Sequence, residues 1–344
     1  MNFGGGGRVI CRRRFGLGLG ALTLLPGTAQ PRPKGKIGYL HPVTIEPSHI
    51  TFSILKQAWE HLGYQEGQSV LTRSGEGHAQ RLPELVTDLV AQGAGVLIVV
   101  GADAVRAAAR TTKTIPIIAI DLETDPVQTG LITSYARPGG NVTGLFLDTP
   151  SLATKWIELM REAVPGLQRI AFAWQPSTGR GQLDVALRTA QAMQIEAVVL
   201  EIEPSDDLAA KFSRLTSTKR TGIVQLTMPG STIVAGSLAA AAKRHGLPTI
   251  THLRSGARAG LLMSYGPNQE AYFPRAVEIA DRILGGETAA QIPVEGPSRF
   301  EFVINLKTAK ALDITIPPTL LARADEVIEH TFSVHRAATT RSAF

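Results

Sequence analysis

The stretch that decides the fold runs from Val96 to Asp125 and reads VLIVVGADAVRAAARTTKTIPIIAIDLETD. Its first five residues, 96–100, are apolar and mostly β-branched, which is typical of a buried parallel strand. The turn Gly101–Asp103 follows, and its aspartate is expected to cap a helix over 104–112. A second apolar run at 115–120 predicts another strand. Strand, helix and strand in this order form a βαβ unit, so the sequence predicts a parallel sheet with helices on both faces.

The same alternation of strands and helices occurs in two blocks, separated by a Pro-containing turn at 148–151. Apolar runs predict further strands at 36–40, 69–72, 142–147, 169–174, 197–201, 222–227, 248–251 and 260–265. A chain of 344 residues is also long for one hydrophobic core. The predicted fold class is therefore α/β, with two doubly wound parallel-sheet lobes.

Composition and charge exclude some classes of protein. Hydrophobic residues make up 44% of the chain and charged residues 19%, as in a folded protein rather than a disordered one. The formal charge is +6, but four arginines and no acid lie in the first 29 residues, which leaves +2 for the rest. The sequence ahead of Lys36 holds no helix-turn-helix pattern. We therefore expect no nucleic-acid partner.

The first 29 residues have the features of a bacterial export signal. Arg12–Phe15 supply paired arginines before a phenylalanine, and a short apolar run over 15–25 leads to small residues ending at Ala29. We expect twin-arginine-like export to the periplasm with cleavage after Ala29; a retained N-terminus or an uncleaved anchor is the alternative. The single cysteine, Cys11, would be lost with the signal, leaving no disulfide or thiol chemistry.

Motifs that carry catalysis or hold a cofactor are missing from the sequence. The eight histidines are scattered without metal-binding spacing. There is neither a Gly-x-Ser-x-Gly elbow nor a phosphate loop, and the first strand is followed by His41-Pro42 rather than a dinucleotide fingerprint. The sequence therefore predicts that the protein is not an enzyme and that it binds neither a metal nor a cofactor.

Candidate binding residues follow from the predicted topology. In parallel α/β sheets, ligands bind outside the carboxyl ends of the strands. The residues at those ends are His41, Gly101, Ala102, Asp103, Asp121, Glu123, Trp174, Gln175, Thr227, Met228 and Tyr265.

Several of these candidates have a structural alternative. The N–H groups of 101–103 suit a ligand carboxylate, but Asp103 can simply cap its helix. Asp121 and Glu123 can bind an ammonium group or act as turn residues. Trp174 can stack on a flat ligand or pack in the core. His41 can be a solvated or packed loop residue, and Tyr265 can belong to a hinge.

Several motifs connect the chain to a known family. They are GLLMSYGPN at 260–268, ARPGGNVTG at 136–144, EAVP at 162–165, FVINLKTAKAL at 302–312, and IPP at 316–318 followed by RADEVI at 323–328. From about Lys36 to Glu329 the chain resembles the bacterial ABC-transporter substrate-binding proteins of type I periplasmic-binding fold, in the group with tryptophan-binding-like members.

The resemblance implies two lobes joined by a three-strand hinge. The chain would cross between the lobes near Asp148, Pro267 and Gln291. The N-terminal lobe would comprise 36–148 plus 268–290 and the C-terminal lobe 149–267 plus 291–330, followed by a flexible tail over 331–344.

The resemblance also implies a function. We expect a periplasmic solute-binding subunit of an ABC importer that binds a small polar organic solute, an amino acid or a related compound, in the interlobe cleft. It would deliver the solute to a permease in the inner membrane. Two alternatives stay open: a ligand-sensing receptor of the same fold coupled to a signalling partner, and an α/β enzyme acting in the same cleft.

Overall fold

A computed structural model describes residues 35–44, 50–121, 124–146, 149–203, 206–215, 220–228 and 231–329. The expected export signal at 1–29, the tail at 331–344, Glu123 and Asp148 lie outside these residues. The predictions made for these residues therefore stay predictions.

The described residues form twelve strands. They are β1 Lys36–His41, β2 Val70–Ser74, β3 Ala94–Val100, β4 Ile117–Asp121, β5 Val142–Phe146, β6 Arg169–Trp174, β7 Glu196–Glu201, β8 Thr221–Gln225, β9 Thr249–Thr251, β10 Met263–Pro267, β11 Phe300–Asn305 and β12 Glu326–Ile328.

Eleven α-helices connect these strands in the described part of the chain, and none of them is long and apolar enough to cross a membrane. They are α1 Ile50–His61, α2 Leu82–Ala91, α3 Ala102–Thr111, α4 Thr149–Ala163, α5 Gly181–Ala192, α6 Leu208–Ser213, α7 Ser231–Arg244, α8 Arg254–Ala259, α9 Gln269–Leu284, α10 Leu306–Ala311 and α11 Pro318–Leu321.

The strands form two separate sheets. The first has the order β2-β1-β3-β4-β5 with every pairing parallel. The second has the order β12-β11-β10-β9-β8-β6-β7, in which only the pairing of β10 with β11 is antiparallel. The predicted fold class, two doubly wound α/β lobes, is confirmed.

Each sheet is covered on both faces, which explains why its strands read as apolar runs. In the first sheet, α1 and α9 pack together, and α9 also contacts β3, β4 and β5; α2 and α3 cover the opposite face. In the second sheet, α4 and α5 lie on one face, while α7 and α8 pack together on the other. Helix α9 thus returns to the first sheet although it follows β10 of the second.

The turn after β3 differs from the prediction. Helix α3 begins at Ala102, and its N-cap is Gly101, whose φ of +82° lies in the left-handed region and whose position carries no capping side chain. Glycine takes this φ without steric cost, whereas aspartate does not. Asp103 lies instead in the first turn and pairs with Arg106 at 2.5 Å. The prediction that Asp103 caps the helix was therefore wrong.

The chain passes between the sheets at points that can be located by hydrogen bonds. The N–H of Glu295 donates to the carbonyl of Gly144 (2.9 Å), and the N–H of Phe146 donates to the carbonyl of Glu295 (3.0 Å). The N–H of Asn268 donates to the carbonyl of Arg299 at 2.9 Å. The chain therefore stays beside β5 until Glu295, four residues beyond the crossing expected at Gln291. The crossing expected at Asp148 stays a prediction.

Candidate functional site

The two sheets meet at the carboxyl ends of their strands. Helix α3, which follows β3, contacts the 3₁₀ turn Pro176–Thr178, which follows β6. A Cβ atom built on Gly181 would lie 3.6 Å from Oε1 of Gln128, so the first turn of α5 also lies beside the first lobe. The candidate site is the region between these two contacts, where the strand ends of both lobes face each other.

On the first lobe, Gly101–Asp103 form the start of α3. The N–H of Gly101 donates to the carbonyl of Ile120 at 2.9 Å, which ties this turn to the end of β4. The N–H groups of a helix's first turn have no acceptor within the helix, and the helix dipole favours an anion there. The positive end of the α3 dipole therefore lies at the edge of the site, where the Gly101 N–H is already bonded to Ile120 and Asp103 adds a carboxylate to the first turn.

Asp121 ends β4 and is fully buried. Its carboxylate accepts hydrogen bonds from the N–H of Thr124 (3.0 Å) and from the Thr124 hydroxyl (2.5 Å). This is the turn alternative for Asp121, and it fixes Thr124 beside the end of β4. Its predicted neighbour in the site, Glu123, lies outside the described residues.

His41 ends β1 and is half-buried. Its Nδ1 lies 2.9 Å from the carbonyl oxygen and 3.3 Å from the nitrogen of Val43. These short-range contacts hold the imidazole against its own loop, at the strand end where a ligand role was predicted.

Trp174 ends β6, and only 6% of its surface is exposed. Its indole N–H donates to the carbonyl of Gly179 at 2.9 Å, and the guanidinium carbon of Arg180 lies 5.9 Å from the ring centroid. The buried ring therefore packs against the 175–180 turn and donates a hydrogen bond to it, which agrees with the core-packing alternative.

Gln175, the next residue, donates from Nε2 to Oε2 of Glu203 at 3.0 Å. Its Oε1 is buried and has no hydrogen-bond partner. The second lobe therefore presents an unsatisfied acceptor directly beside the contact with α3.

Thr227 and Met228 follow β8. Thr227 donates from its N–H (3.0 Å) and from its hydroxyl (2.8 Å) to Oε1 of Gln182, a residue of α5. Met228 is buried in the core beside α7, and its carbonyl accepts a hydrogen bond from the Ser231 hydroxyl at 2.7 Å. The segment after β8 is thus fixed to a helix on each side.

Tyr265 lies within β10 rather than at a strand end, so its predicted position was wrong. Its ring stacks on Phe300, with centroids 5.7 Å apart and the planes at 12°, and its carbonyl accepts from Nε1 of Trp156 at 2.6 Å. Tyr265 therefore joins α4 to the two strands that lead toward the first lobe.

Sequence reasoning missed His252, which follows β9 and is buried beside Trp156 with ring centroids 6.3 Å apart. Its Nδ1 has no hydrogen-bond partner, and burial lowers the pKa of the imidazole to about 3. A Cβ on Gly266 would lie 1.8 Å from the His252 carbonyl oxygen, so only glycine fits at that point of β10. No local pattern marks His252, because its neighbours come from α4 and β10.

Gln225 was also missed, although an amide inside the apolar run GIVQLT is a visible signal. It is fully buried, and neither of its side-chain polar atoms has a partner. Ser264, whose hydroxyl is likewise unpartnered, pairs with Thr251 on β9, the strand beside β8. A buried polar group without a partner lowers the free energy of unfolding by about 1–3 kcal/mol. The side chains of Gln225 and Ser264 are therefore free to form further hydrogen bonds.

The site has no metal-binding chemistry in the residues described, since no group of three or more His, Cys, Asp or Glu side chains comes together there. The polar groups that do converge are amides, hydroxyls, backbone N–H groups and a single buried carboxylate. Such a set suits recognition of a small polar molecule by hydrogen bonds.

A comparison with protein families matches residues 37–328 to the ABC transporter substrate binding proteins. The chain belongs to this family. Its members bind substrates and are not enzymes. This agrees with the prediction, made from the missing catalytic motifs, that this substrate-binding protein is not an enzyme.

Similar proteins are known among curated sequences and solved structures. The chain is 27% identical over 265 residues to the tyrosine-binding protein of Clostridioides difficile (strain R20291), which covers 75% of each chain. It shares 23% identity and a TM-score of 0.75 with an ABC domain from Streptococcus pneumonia in complex with L-Trp, covering 85% of this chain and 100% of that one. A conserved domain protein from Vibrio cholerae O1 biovar El Tor has the same identity and a TM-score of 0.76, covering 86% and 99%.

These matches confirm the resemblance and the type I periplasmic-binding fold. They leave the ligand-contacting residues of this substrate-binding protein as predictions from position, since no comparison names them.

Proposed function

We propose that this chain is the solute-binding subunit of an ABC importer, that it works in the periplasm, and that its solute is an aromatic amino acid. The observation that carries the proposal is the meeting of two α/β lobes at their strand ends, in a chain of the substrate-binding family. A cleft of this kind closes on its ligand by a shift between open and closed populations.

The chemistry of the first lobe supports an amino-acid solute. The helix dipole gives the start of α3 a partial positive charge, which favours a ligand carboxylate. The solute class follows from the relatives, because one is a tyrosine-binding protein and a solved neighbour holds L-Trp. In this chain the solute would be trapped and released without chemical change.

A thermal-shift screen of the purified protein against amino acids, sugars and nucleobases tests the solute class. A ligand at 100 times its Kd raises the free energy of unfolding by about 2.7 kcal/mol, which is readily detected. We expect L-tyrosine or L-tryptophan to raise the melting temperature. A shift with sugars alone would refute the amino-acid assignment.

The proposal includes export and a membrane partner. The basic leader ending at Ala29 supports cleavage on export, and the family supports delivery to a permease of the inner membrane. N-terminal sequencing of the protein recovered from the periplasm should begin at Gln30. A protein that stays in the cytosol and retains Arg12–Arg14 would contradict this part of the proposal.

A further inference from the structure

Helix α5 carries two contacts of different kinds in consecutive residues. Gly181, its first residue, lies beside Gln128 of the first lobe. Gln182, its second residue, accepts both hydrogen bonds that Thr227 donates. The first contact places α5 against the first lobe, and the second holds Thr227, a residue of the candidate site, in position.

The bond between Gln182 and Thr227 is well shielded from water. Gln182 is 7% exposed and Thr227 is 1% exposed, and the two are 45 residues apart in the chain. One amide oxygen accepts from both the backbone N–H and the side-chain hydroxyl of Thr227. Loss of the oxygen leaves a buried N–H and a buried hydroxyl without an acceptor.

The segment held by Gln182 lies where a solute would contact the second lobe. Residues 226–228 follow β8 directly, and the N–H of Leu226 donates to the carbonyl of Ala173 on β6 at 3.0 Å. Beyond this bond the segment leaves the sheet, and the Gln182 amide becomes its attachment to α5. A shift of the first turn of α5 therefore acts on Thr227, which lies between Leu226 on the sheet and Met228 beside α7.

We infer that Gln182 is a positioning residue that couples closure of the lobes to the solute site. Approach of the first lobe at Gly181 sets the position of the first turn of α5, and Gln182 transmits that position to Thr227. The inference rests on the proposed function, because it assumes that a solute binds between the lobes.

Three variants test the coupling in the full chain. Gln182→Met removes the acceptor at nearly constant volume, and Gln182→Glu retains an oxygen in the same place. Gly181→Trp adds a large side chain where the first lobe approaches. Gly236→Trp is the matched control, because Gly236 is another exposed helical glycine of the second lobe and has no atom within 4 Å of a built Cβ.

The first readout is hydrogen exchange of the Thr227 amide without any solute, with the Leu226 amide, which donates to Ala173, as the internal reference. Gln182→Met should raise exchange at Thr227 at least tenfold, Gln182→Glu should restore it to within threefold of the wild-type rate, and Gly236→Trp should leave it unchanged. Unchanged exchange in Gln182→Met would overturn the inference, whatever the protein binds.

The second readout is the Kd for L-tyrosine and L-tryptophan by calorimetry. Gln182→Met and Gly181→Trp should each raise the Kd at least tenfold, while Gly181→Trp keeps the melting temperature of the Gly236→Trp control. Wild-type Kd values in both variants would overturn the coupling. If the wild-type protein binds neither amino acid, the proposed solute class fails, and the exchange measurement still decides whether Gln182 fixes the segment.

Discussion

Asp121 illustrates at the residue scale how polar groups at the strand ends are used. Its carboxylate is fully buried and accepts two hydrogen bonds from Thr124, one from the backbone and one from the hydroxyl. Two donors would be left unpaired in an apolar setting if the carboxylate were removed. The position of Thr124 beside the end of β4 therefore depends on these two bonds.

Asp121→Ala should lower the free energy of unfolding by about 2–4 kcal/mol, since two buried donors lose their acceptor and a cavity forms. Asp103→Ala is the control, because it removes a half-buried ion pair with Arg106 within one helix turn, which contributes about 1 kcal/mol or less. Urea unfolding of both variants measures the difference. Equal losses would show that the Thr124 bonds contribute little.

His252 predicts a pH dependence. Burial lowers its pKa to about 3 in the folded protein, while the unfolded chain titrates near 6.5. Below pH 6.5 the unfolded state binds a proton that the folded state does not, so acid favours unfolding. Between pH 7.0 and pH 5.5 this histidine should reduce the free energy of unfolding by about 1 kcal/mol.

His252→Phe removes the titrating group and keeps a ring beside Trp156. Over the same pH interval, urea unfolding should show about 1 kcal/mol less destabilisation in the variant than in the wild-type protein. Parallel pH profiles for the two proteins would mean that His252 is accessible to water in the folded state.

Residue positions could be predicted from the sequence, but residue partners could not. The strand ends follow from the apolar runs, so His41, Asp121 and Trp174 were placed correctly at the ends of their strands, and Thr227 lies two residues beyond β8. The bond between Gln182 and Thr227 spans 45 residues, and no local pattern specifies such a contact.

At the scale of single elements, apolar runs predicted the strands well because both sheet faces are buried. The run 96–100 lies within β3, and 115–120 overlaps β4. The start of α3 was misplaced by two residues because its cap is a conformation of Gly101, not a side chain. The pattern could mark the turn but not the φ angle that begins the helix.

The cap of α9 leads to a prediction at this scale. The Asn268 side chain accepts from the N–H of Ala271 at 2.8 Å and donates to Glu301 at 2.5 Å, at the point where the chain leaves the second sheet. Asn268→Ala should lower the free energy of unfolding by about 1–2 kcal/mol, through loss of the cap and of the bond to Glu301.

Asp207→Ala provides the matched control. Asp207 caps α6 of the second lobe by accepting from the N–H groups of Ala209 and Ala210. Asp207→Ala should lower the free energy of unfolding by about 1 kcal/mol, through loss of the cap alone. Urea unfolding of both variants measures the difference, and a loss in Asn268→Ala no larger than that in Asp207→Ala would mean that the bond to Glu301 adds nothing to the cap.

At the scale of the whole molecule, the chain forms two sheets whose strand ends meet, with α9 returning to the first sheet after β10. The resemblance based on the motifs at 260–268 and 302–312, among others, implied this discontinuous arrangement. Local patterns alone predicted two α/β blocks and gave no reason for α9 to pack on the first.

The central claim is that the two lobes trap an amino acid between them and release it unaltered. The most direct test is calorimetric titration of the wild-type protein with L-tyrosine and L-tryptophan. The bound molecule is then released by heating the complex, and its mass is measured. We predict one site per chain, a negative heat-capacity change from burial of the aromatic ring, and recovery of the amino acid with its mass unchanged. Absence of binding to any amino acid, or recovery of a chemically altered product, would contradict the claim.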